Sequence, residues 1–259
     1  MKSDYGRAAL GWLQRRFRMA TRHSAVPDGE AVYAIGDIHG RADLLDDLLE
    51  RVENDTKAHP DDHIRRLVFL GDYIDRGSAS RAVIDRLLQR PLSGFSAIYL
   101  KGNHEQAMLD FVDGYSDGQS WLAYGGAQTL MSYGIAAVGQ SSEALRVSFL
   151  DALPMEHLDF LRGCVLHYDA GDYVFVHAGT RPGVALEAQD PLDLLWIREN
   201  FLEVSEALPG RVVVHGHTIC RTPQNLAHRI NIDTGAFFSG RLTCLVLRSH
   251  SRRFLTTSA

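Results

Sequence analysis

Cysteine is scarce in this 259-residue chain: the three present, Cys164, Cys220 and Cys244, lie far apart with no CxxC spacing. That argues against a disulfide framework and against a thiolate zinc or redox site, and it fits a reducing cytoplasm. Long apolar runs are also missing. No stretch approaches the roughly 18 consecutive apolar residues that cross a bilayer, and no signal-peptide core precedes a small-residue cleavage site, so neither a transmembrane segment nor export is expected. Basic excess is lacking too. The formal net charge is -5, whereas a surface that tracks nucleic-acid phosphates normally carries surplus Lys and Arg; nucleic acid is not the expected partner. Repeats and low-complexity stretches are absent, and 45% hydrophobic with 23% charged residues is the composition of a folded globular protein. The length favours a single α/β unit around one core.

The first 24 residues depart from this average. Lys2, Arg7, Arg15, Arg16, Arg18 and Arg22 stand against Asp4 alone, interleaved with Leu10, Trp12, Leu13, Phe17 and Met19. Such a segment can form a short amphipathic helix that makes a weak contact with an anionic surface, a partner or the acidic body of the protein. A terminal helix packed on the domain is the plainer alternative. The expected organisation is a basic amphipathic segment over 1–24 and one domain over 25–259.

What the chain does contain is a repeated grammar. Five short apolar runs each end in a glycine-bounded cluster of Asp, His or Asn. Ala31 to Ile35 lead into Gly36-Asp37-Ile38-His39-Gly40, and Leu67 to Leu70 lead into Gly71-Asp72-Tyr73-Ile74-Asp75-Arg76-Gly77. Ala97 to Leu100 lead into Gly102-Asn103-His104-Glu105, Tyr173 to Val176 into His177-Ala178-Gly179, and Arg211 to Val214 into His215-Gly216-His217-Thr218. The first three runs are followed by helical spacing: Leu44, Leu45, Leu48, Leu49 and Val52, then Val83, Ile84, Leu87 and Leu88, then Glu105 to Phe111. Repeated strand-loop-helix units imply a partly parallel sheet, at whose carboxyl edge the clusters meet in one crevice. Their donors suffice for two metal ions, which activate water and neutralise phosphoryl charge in phosphoester hydrolysis. Oxygen and imidazole donors suit manganese, iron or zinc. Asp72, central among the clusters, is the candidate carboxylate to bridge the pair.

These five motifs resemble the signature of the phosphoprotein phosphatase family of metallophosphoesterases, most closely its small bacterial and phage serine/threonine phosphatases, in order from about residue 31 to 247. The resemblance implies that Asp37 and His39 bind one metal, that Asp72 bridges, and that Asn103, His177 and His217 complete the second site. It implies His104 as the general acid, Asp75 as the group that orients it, and Arg76 and Arg198 as the phosphate-binding arginines, a guanidinium fork matching a phosphoryl group better than lysine does. Two divalent ions, manganese first, are the implied cofactor. The implied substrate is a phosphorylated protein or a small phosphoester.

The expected fold is α/β: two packed, mostly mixed sheets flanked by helices, with a helical insert over about 112–162 beside the site. Gly240-Arg241 reads as a hairpin turn between Phe238 and Leu242. Outside the clusters, His59, His63, His157, His167 and His228 read as surface or partly buried residues. Glu105 is either an anchor for the histidine beside it or a helix N-terminal carboxylate; His215 and Asp233 read as supporting groups. Trp121, Tyr124, Gly125 and Gly126 border the site, the rings either stacking on a nucleobase or pinning the insert as core aromatics. Three activities remain open: a serine/threonine protein phosphatase, which is preferred, a symmetrical diadenosine tetraphosphate hydrolase, and a non-catalytic binding protein on the same fold.

Overall fold

The computed structural model describes residues 24–89 and 91–257; apart from Ser24, the basic segment 1–24 lies outside the described residues. The first strand shows why the sheets are covered on both faces. In β1 (Glu30–Ile35) every residue after Glu30 is buried, Ala31, Tyr33 and Ile35 against helices and Val32 and Ala34 against a second sheet. A strand sandwiched in this way reads as an unbroken apolar run. Of its side chains, Val32 and Ile35 each contribute about 1.5–3 kcal/mol relative to exposure, and the two alanines less.

Helix α1 (Ala42–Lys57) covers it with Leu44, Leu45, Leu48, Leu49 and Val52, and α2 (Ser80–Leu88) adds Val83, Ile84 and Leu87. Between and after them come β2 (Ile64–Phe69), β3 (Ser96–Tyr99) and α3 (Asn103–Val112). Strands β1, β2 and β3 are parallel neighbours. The insert that follows is helical in four pieces: α4 (Gln119–Trp121), continued through a π-type turn at Leu122–Gly126 into α5 (Ala127–Ser132), then α6 (Ser142–Ala152) and α7 (Met155–Gly163).

The second half builds its own sheet from β4 (His167–Ala170), β5 (Tyr173–Val176), β6 (Val212–His215), β7 (Gln224–Asn225) and β8 (Arg229–Asn231). Its order is β4-β5-β6-β8-β7, with β5, β6 and β8 parallel and the two edge strands antiparallel. Helices α8 (Pro191–Trp196) and α9 (Glu199–Leu202) cover its outer face with Leu194 and Phe201. After α10 (Ala236–Ser239) the chain returns as β9 (Thr243–Arg248) and β10 (Ser251–Thr256) to the first sheet, giving order β10-β9-β1-β2-β3. Val32, Val68, Phe175, Val214, Ile230 and Leu245 form the layer between the two sheets. This is the two-sheet mixed architecture with flanking helices that the sequence predicts.

Two local expectations are corrected. Gly240 does not turn one strand into the next: it sits in the left-handed region (φ 69°) and ends the short helix α10, its N–H bonded to Ala236 O. Phe237 and Phe238 lie within that helix, and the hairpin of this region is the one that joins β9 to β10 through Ser249 and His250. His157 is not a surface residue but buried, its ring held between Tyr133 Oη at 2.8 Å and Asp85 Oδ1 at 3.0 Å.

Candidate metal centre

The loops after β1, β2, β3, β5 and β6 converge at one edge of the two sheets. The backbone ties the first two loops together directly: Ile38 N and His39 N both donate to Asp72 O, at 3.0 and 2.8 Å, and Gly77 N donates to His39 O at 3.1 Å. Such crossing demands unusual conformations. Six described non-glycine residues have positive φ, and five of them, His39, Asp72, Asp75, Arg76 and His217, are predicted site residues. Left-handed backbone at a residue with a Cβ is strained, and it persists where surrounding structure fixes it, typically at functional sites. Glycine is required beside them: a Cβ at Gly102 would overlap Asp72, and one at Gly125 (φ 118°) would lie 2.7 Å from Arg76 N.

Asp72 is at the middle. Its Oδ2 lies 3.4 Å from His39 Nε2, and its Oδ1 lies 3.4 Å from His177 Nε2. Two groups of donors therefore share it: His39 and His104 on one side, His177 and His217 on the other, each group with ligand atoms within 4.8 Å of one another. The histidine tautomers are set from behind. His39 Nδ1 and His177 Nδ1 donate to the carbonyls of Ile74 and Leu70, both at 2.8 Å, which leaves each Nε2 as a lone pair aimed into the site, the usual arrangement for an imidazole that binds metal. Asn103 Oδ1, another lone-pair atom, lies 2.9 Å from His177 Nε2 and 2.8 Å from His217 Nδ1. Asp37 accepts from His217 N at 3.0 Å through Oδ2, while its Oδ1 and His39 Nε2 are buried with no hydrogen-bond partner. The His177 Nε2 lone pair set against Asn103 Oδ1, and the unpartnered Asp37 Oδ1 and His39 Nε2, are buried acceptors of the kind that cations relieve.

The charges carry the same message. Burial pushes the Asp37 carboxyl well above the usual range, and Asp233 and Asp72 add to it. Burial likewise raises Asp233 to about 6. At Asp72 burial works in the same direction, but the imidazoles of His177, His104, His39 and His217 outweigh it and hold that carboxyl low. Burial lowers His39 to about 3, and burial with His177 lowers His217 to about 2, so both stay neutral and able to coordinate.

His104 is held differently. Its Nδ1 lies 2.6 Å from Asp75 Oδ2, and its Nε2 lies 3.1 Å from Arg76 Nη2 and 3.9 Å from Asp72 Oδ2. Burial opposes protonation of this ring, yet Asp72 and Asp75 together raise its pKa above the ordinary value. Asp75 is fully buried and fully used: Trp121 Nε1 donates to Oδ2 at 2.9 Å and Thr129 Oγ1 donates to Oδ1 at 2.5 Å. Glu105 is the helix N-terminal carboxylate, and what it anchors is the Asp72 loop and not the neighbouring histidine. It accepts from Gly102 N at the start of α3 and from Asp72 N and Tyr73 N, all at 2.8 Å, fixing the Asp72 loop to the helix. Burial, with Asp72 beside it, raises this carboxyl to about 8, while the backbone N–H groups of Gly102, Asp72 and Tyr73 donate to it and favour its ionised form. Arg198, just beyond α8, donates from Nε to His217 Nε2 at 3.0 Å, and with Arg76 it lines a cavity of about 270 Å³ over the metal donors.

A calcineurin-like phosphoesterase profile matches residues 31–229. The chain belongs to the calcineurin-like phosphoesterase family. It is 31% identical over 232 residues to the asymmetrical bis(5'-nucleosyl)-tetraphosphatase PrpE of Bacillus cereus (strain ATCC 10987 / NRS 248), covering 82% of this chain and 88% of the relative. Among solved structures it resembles a protein provisionally assigned as a diadenosine tetraphosphatase (TM-score 0.60, 20% identity, 91% of this chain and 99% of that one). It also resembles a protein serine/threonine phosphatase of Saccharomyces cerevisiae similar to human PP5 (TM-score 0.54, 15% identity, 89% and 80%). These structural likenesses are likenesses of fold.

A calcineurin-like phosphoesterase is a hydrolase of ester bonds and uses a dinuclear divalent metal centre; the two donor groups that meet at Asp72 fit such a pair. Every predicted site residue lies at this edge. The aromatic wall divides: Trp121 is buried and bonded to Asp75, whereas Tyr124 is 65% exposed at the cavity. His215 sits behind the site, buried against Phe201 with rings 5.0 Å apart. Sequence reasoning missed Thr129 and Ser80, which cradle Asp75 from the insert and from α2. No spacing rule marks a lone hydroxyl of this kind.

Proposed function

We propose that this chain is a metal-dependent serine/threonine protein phosphatase in which Asp37 and His39 hold one ion, Asn103, His177 and His217 hold the other, and Asp72 bridges them. The observation that carries the reading is the position of Asp72, one oxygen directed to each donor group. When bound, the two ions supply a water-derived nucleophile at neutral pH and neutralise phosphoryl charge. Arg76 and Arg198 hold the phosphoryl oxygens from the cavity side, their forked donors matching a tetrahedral anion. His104 Nε2, which accepts from Arg76 here, is freed to carry a proton when Arg76 turns to the phosphoryl oxygens, and gives that proton to the departing serine or threonine oxygen. Asp75 fixes the ring through Nδ1 and stabilises its cationic form. Trp121 and Thr129 hold Asp75 in turn.

Two guanidiniums line the cavity, enough for one phosphoryl group, and this favours a phosphomonoester over a polyphosphate. The second reading, a dinucleoside tetraphosphate hydrolase, draws on the named activity of the Bacillus relative and on the exposed ring of Tyr124 as a stacking face. A parallel assay separates the two: manganese-loaded protein on a phosphoserine or phosphothreonine peptide and on diadenosine tetraphosphate, with products identified. Higher kcat/KM on the peptide is expected. Release of ADP, or of ATP and AMP, at much higher kcat/KM would replace the phosphatase reading, with the products reporting symmetrical or asymmetrical cleavage.

A further inference from the structure

One face of α3 leads away from the metal donors. Asn103, Ala107 and Asp110 recur at spacings of four and three and so stack along one side of the helix; together they floor a cavity of about 210 Å³ walled by Tyr124 and Trp196. This groove joins the phosphate cavity, since Asn103, His104, Tyr124 and Trp196 line both. From Asn103 to Asp110 the helix rises about 10 Å at 1.5 Å per residue.

The charge reverses over that distance. At the near end stand Arg76, Arg198 and the first N–H groups of α3. At the far end are the Asp110 carboxylate and the hydroxyls of Ser116 and Ser120, with no Lys or Arg among the lining residues. Asp110 is in an unfavourable place by local rules. A carboxylate near a helix C-terminus faces the negative end of the helix dipole, and among the described residues its carboxylate is met by the neutral amide of Gln106, at 2.8 Å, with no cation. Asp113, at the end of the same helix, is instead paired with Arg162 at 2.6 Å. The conflict is offset by an amide hydrogen bond and not by a counter-charge, which leaves the negative charge of Asp110 facing the groove.

We propose that this groove receives the leaving group and that Asp110 selects its charge, so that the preferred substrate is a phosphopeptide carrying a lysine or arginine close in sequence to the phosphorylated residue. The proposal rests on the phosphatase reading. His104 stands at the mouth of the groove, so the oxygen it protonates departs along α3. The faces of Tyr124 and Trp196, 65% and 43% exposed, cover the aliphatic stem of the basic side chain, whose charged end reaches Asp110. A polyphosphate leaving group would bring its anions to the same carboxylate with no counter-charge in the groove.

The test uses two phosphoserine peptides that differ only in a Lys or a Glu two residues from the phosphoserine, assayed with the manganese-loaded full chain. Wild type is expected to favour the Lys peptide about fivefold in kcat/KM at low salt, and the preference should shrink as ionic strength rises. Asp110→Asn should bring the ratio close to one, and Asp110→Lys should invert it. Bound manganese per chain and the thermal unfolding midpoint confirm that each preparation is folded and metal-loaded, and the ratio of the two peptides is compared within each preparation. A ratio that is the same in wild type and Asp110→Asn, or a wild-type preference for the Glu peptide, overturns the groove assignment and leaves the phosphatase reading standing. Hydrolysis of diadenosine tetraphosphate with neither peptide cleaved overturns both.

Discussion

Two buried carboxylate clusters in this fold are balanced in opposite ways. Asp55, near the end of α1, is enclosed by cations of its own chain: Arg248 reaches it at 2.7 Å, Arg253 contacts it from β10, and Tyr33 Oη donates at 2.9 Å. Burial pushes this carboxyl up, but those partners win and hold it at about 2. At the other edge of the sheet, Asp37 has no cation bonded to it among the described residues, and Arg76 acts on it only through space. Its Oδ1 is unpartnered, Asp233 and Asp72 lie close enough to repel it, and its pKa is driven up. One cluster is neutralised from within the chain; the other presents carboxylates and imidazole lone pairs to a common space, with arginines at its rim. Burial of charge is shared by both, so it does not mark function. The incomplete balance does.

Breaking each cluster in turn tests that contrast. Asp72→Asn removes the charge common to both donor groups; metal content should fall below two ions per chain and turnover should drop about 1000-fold, read by elemental analysis and steady-state assay. Two retained ions at normal rate would refute the bridge. His104→Asn should keep both ions yet slow turnover about 100-fold, most for substrates with poor leaving groups. A loss independent of the leaving group would remove His104 from the role of acid.

Ions should also stabilise the unfinished cluster. Manganese at about 100 times its Kd is expected to add about 2.7 kcal/mol to unfolding stability, and chelation should remove both that increment and activity. A Tm indifferent to manganese and chelator would show that the acceptors are not relieved by metal. The finished cluster should answer in reverse: Asp55→Asn is expected to cost about 2 kcal/mol, reduced by the exposure of Arg253, with turnover kept. Equal damage to kcat would mean the two clusters are not separate.

The smallest effect is in pH. The folded pKa of Asp55 lies below its ordinary value of 3.8, so its contribution is full above that value and is lost as pH falls through about 2. The stability gap between wild type and Asp55→Asn should narrow by about 1 kcal/mol between pH 5 and 2, after allowance for solvent screening. A gap constant with pH would place the stabilising charge elsewhere.

Much of this was legible in the residues. The apolar runs of β1, β2 and β5 and the periodic leucines of α1 announce themselves because burial on one or two faces leaves a pattern along the chain. The glycine-bounded clusters point to the site because donors at strand ends recur in the same grammatical place. The edge strands β4, β7 and β10 escaped notice: half-exposed, and in β7 just two residues long, they carry little periodic signal. The hairpin expected at Gly240 failed because a left-handed glycine serves a helix end as readily as a strand turn.

The sequence alone determined which donors exist and that strand ends would carry them, because residue type and periodicity are local properties. Tertiary structure decided what each donor faces. It turned Asp72 to two groups of imidazoles, buried the Trp121 ring on Asp75 while leaving Tyr124 exposed, brought Thr129 from the insert to the same carboxylate, and enclosed Asp55 with arginines nearly 200 residues away in the chain. Charge balance is a sum over neighbours in space, and chain order does not contain it.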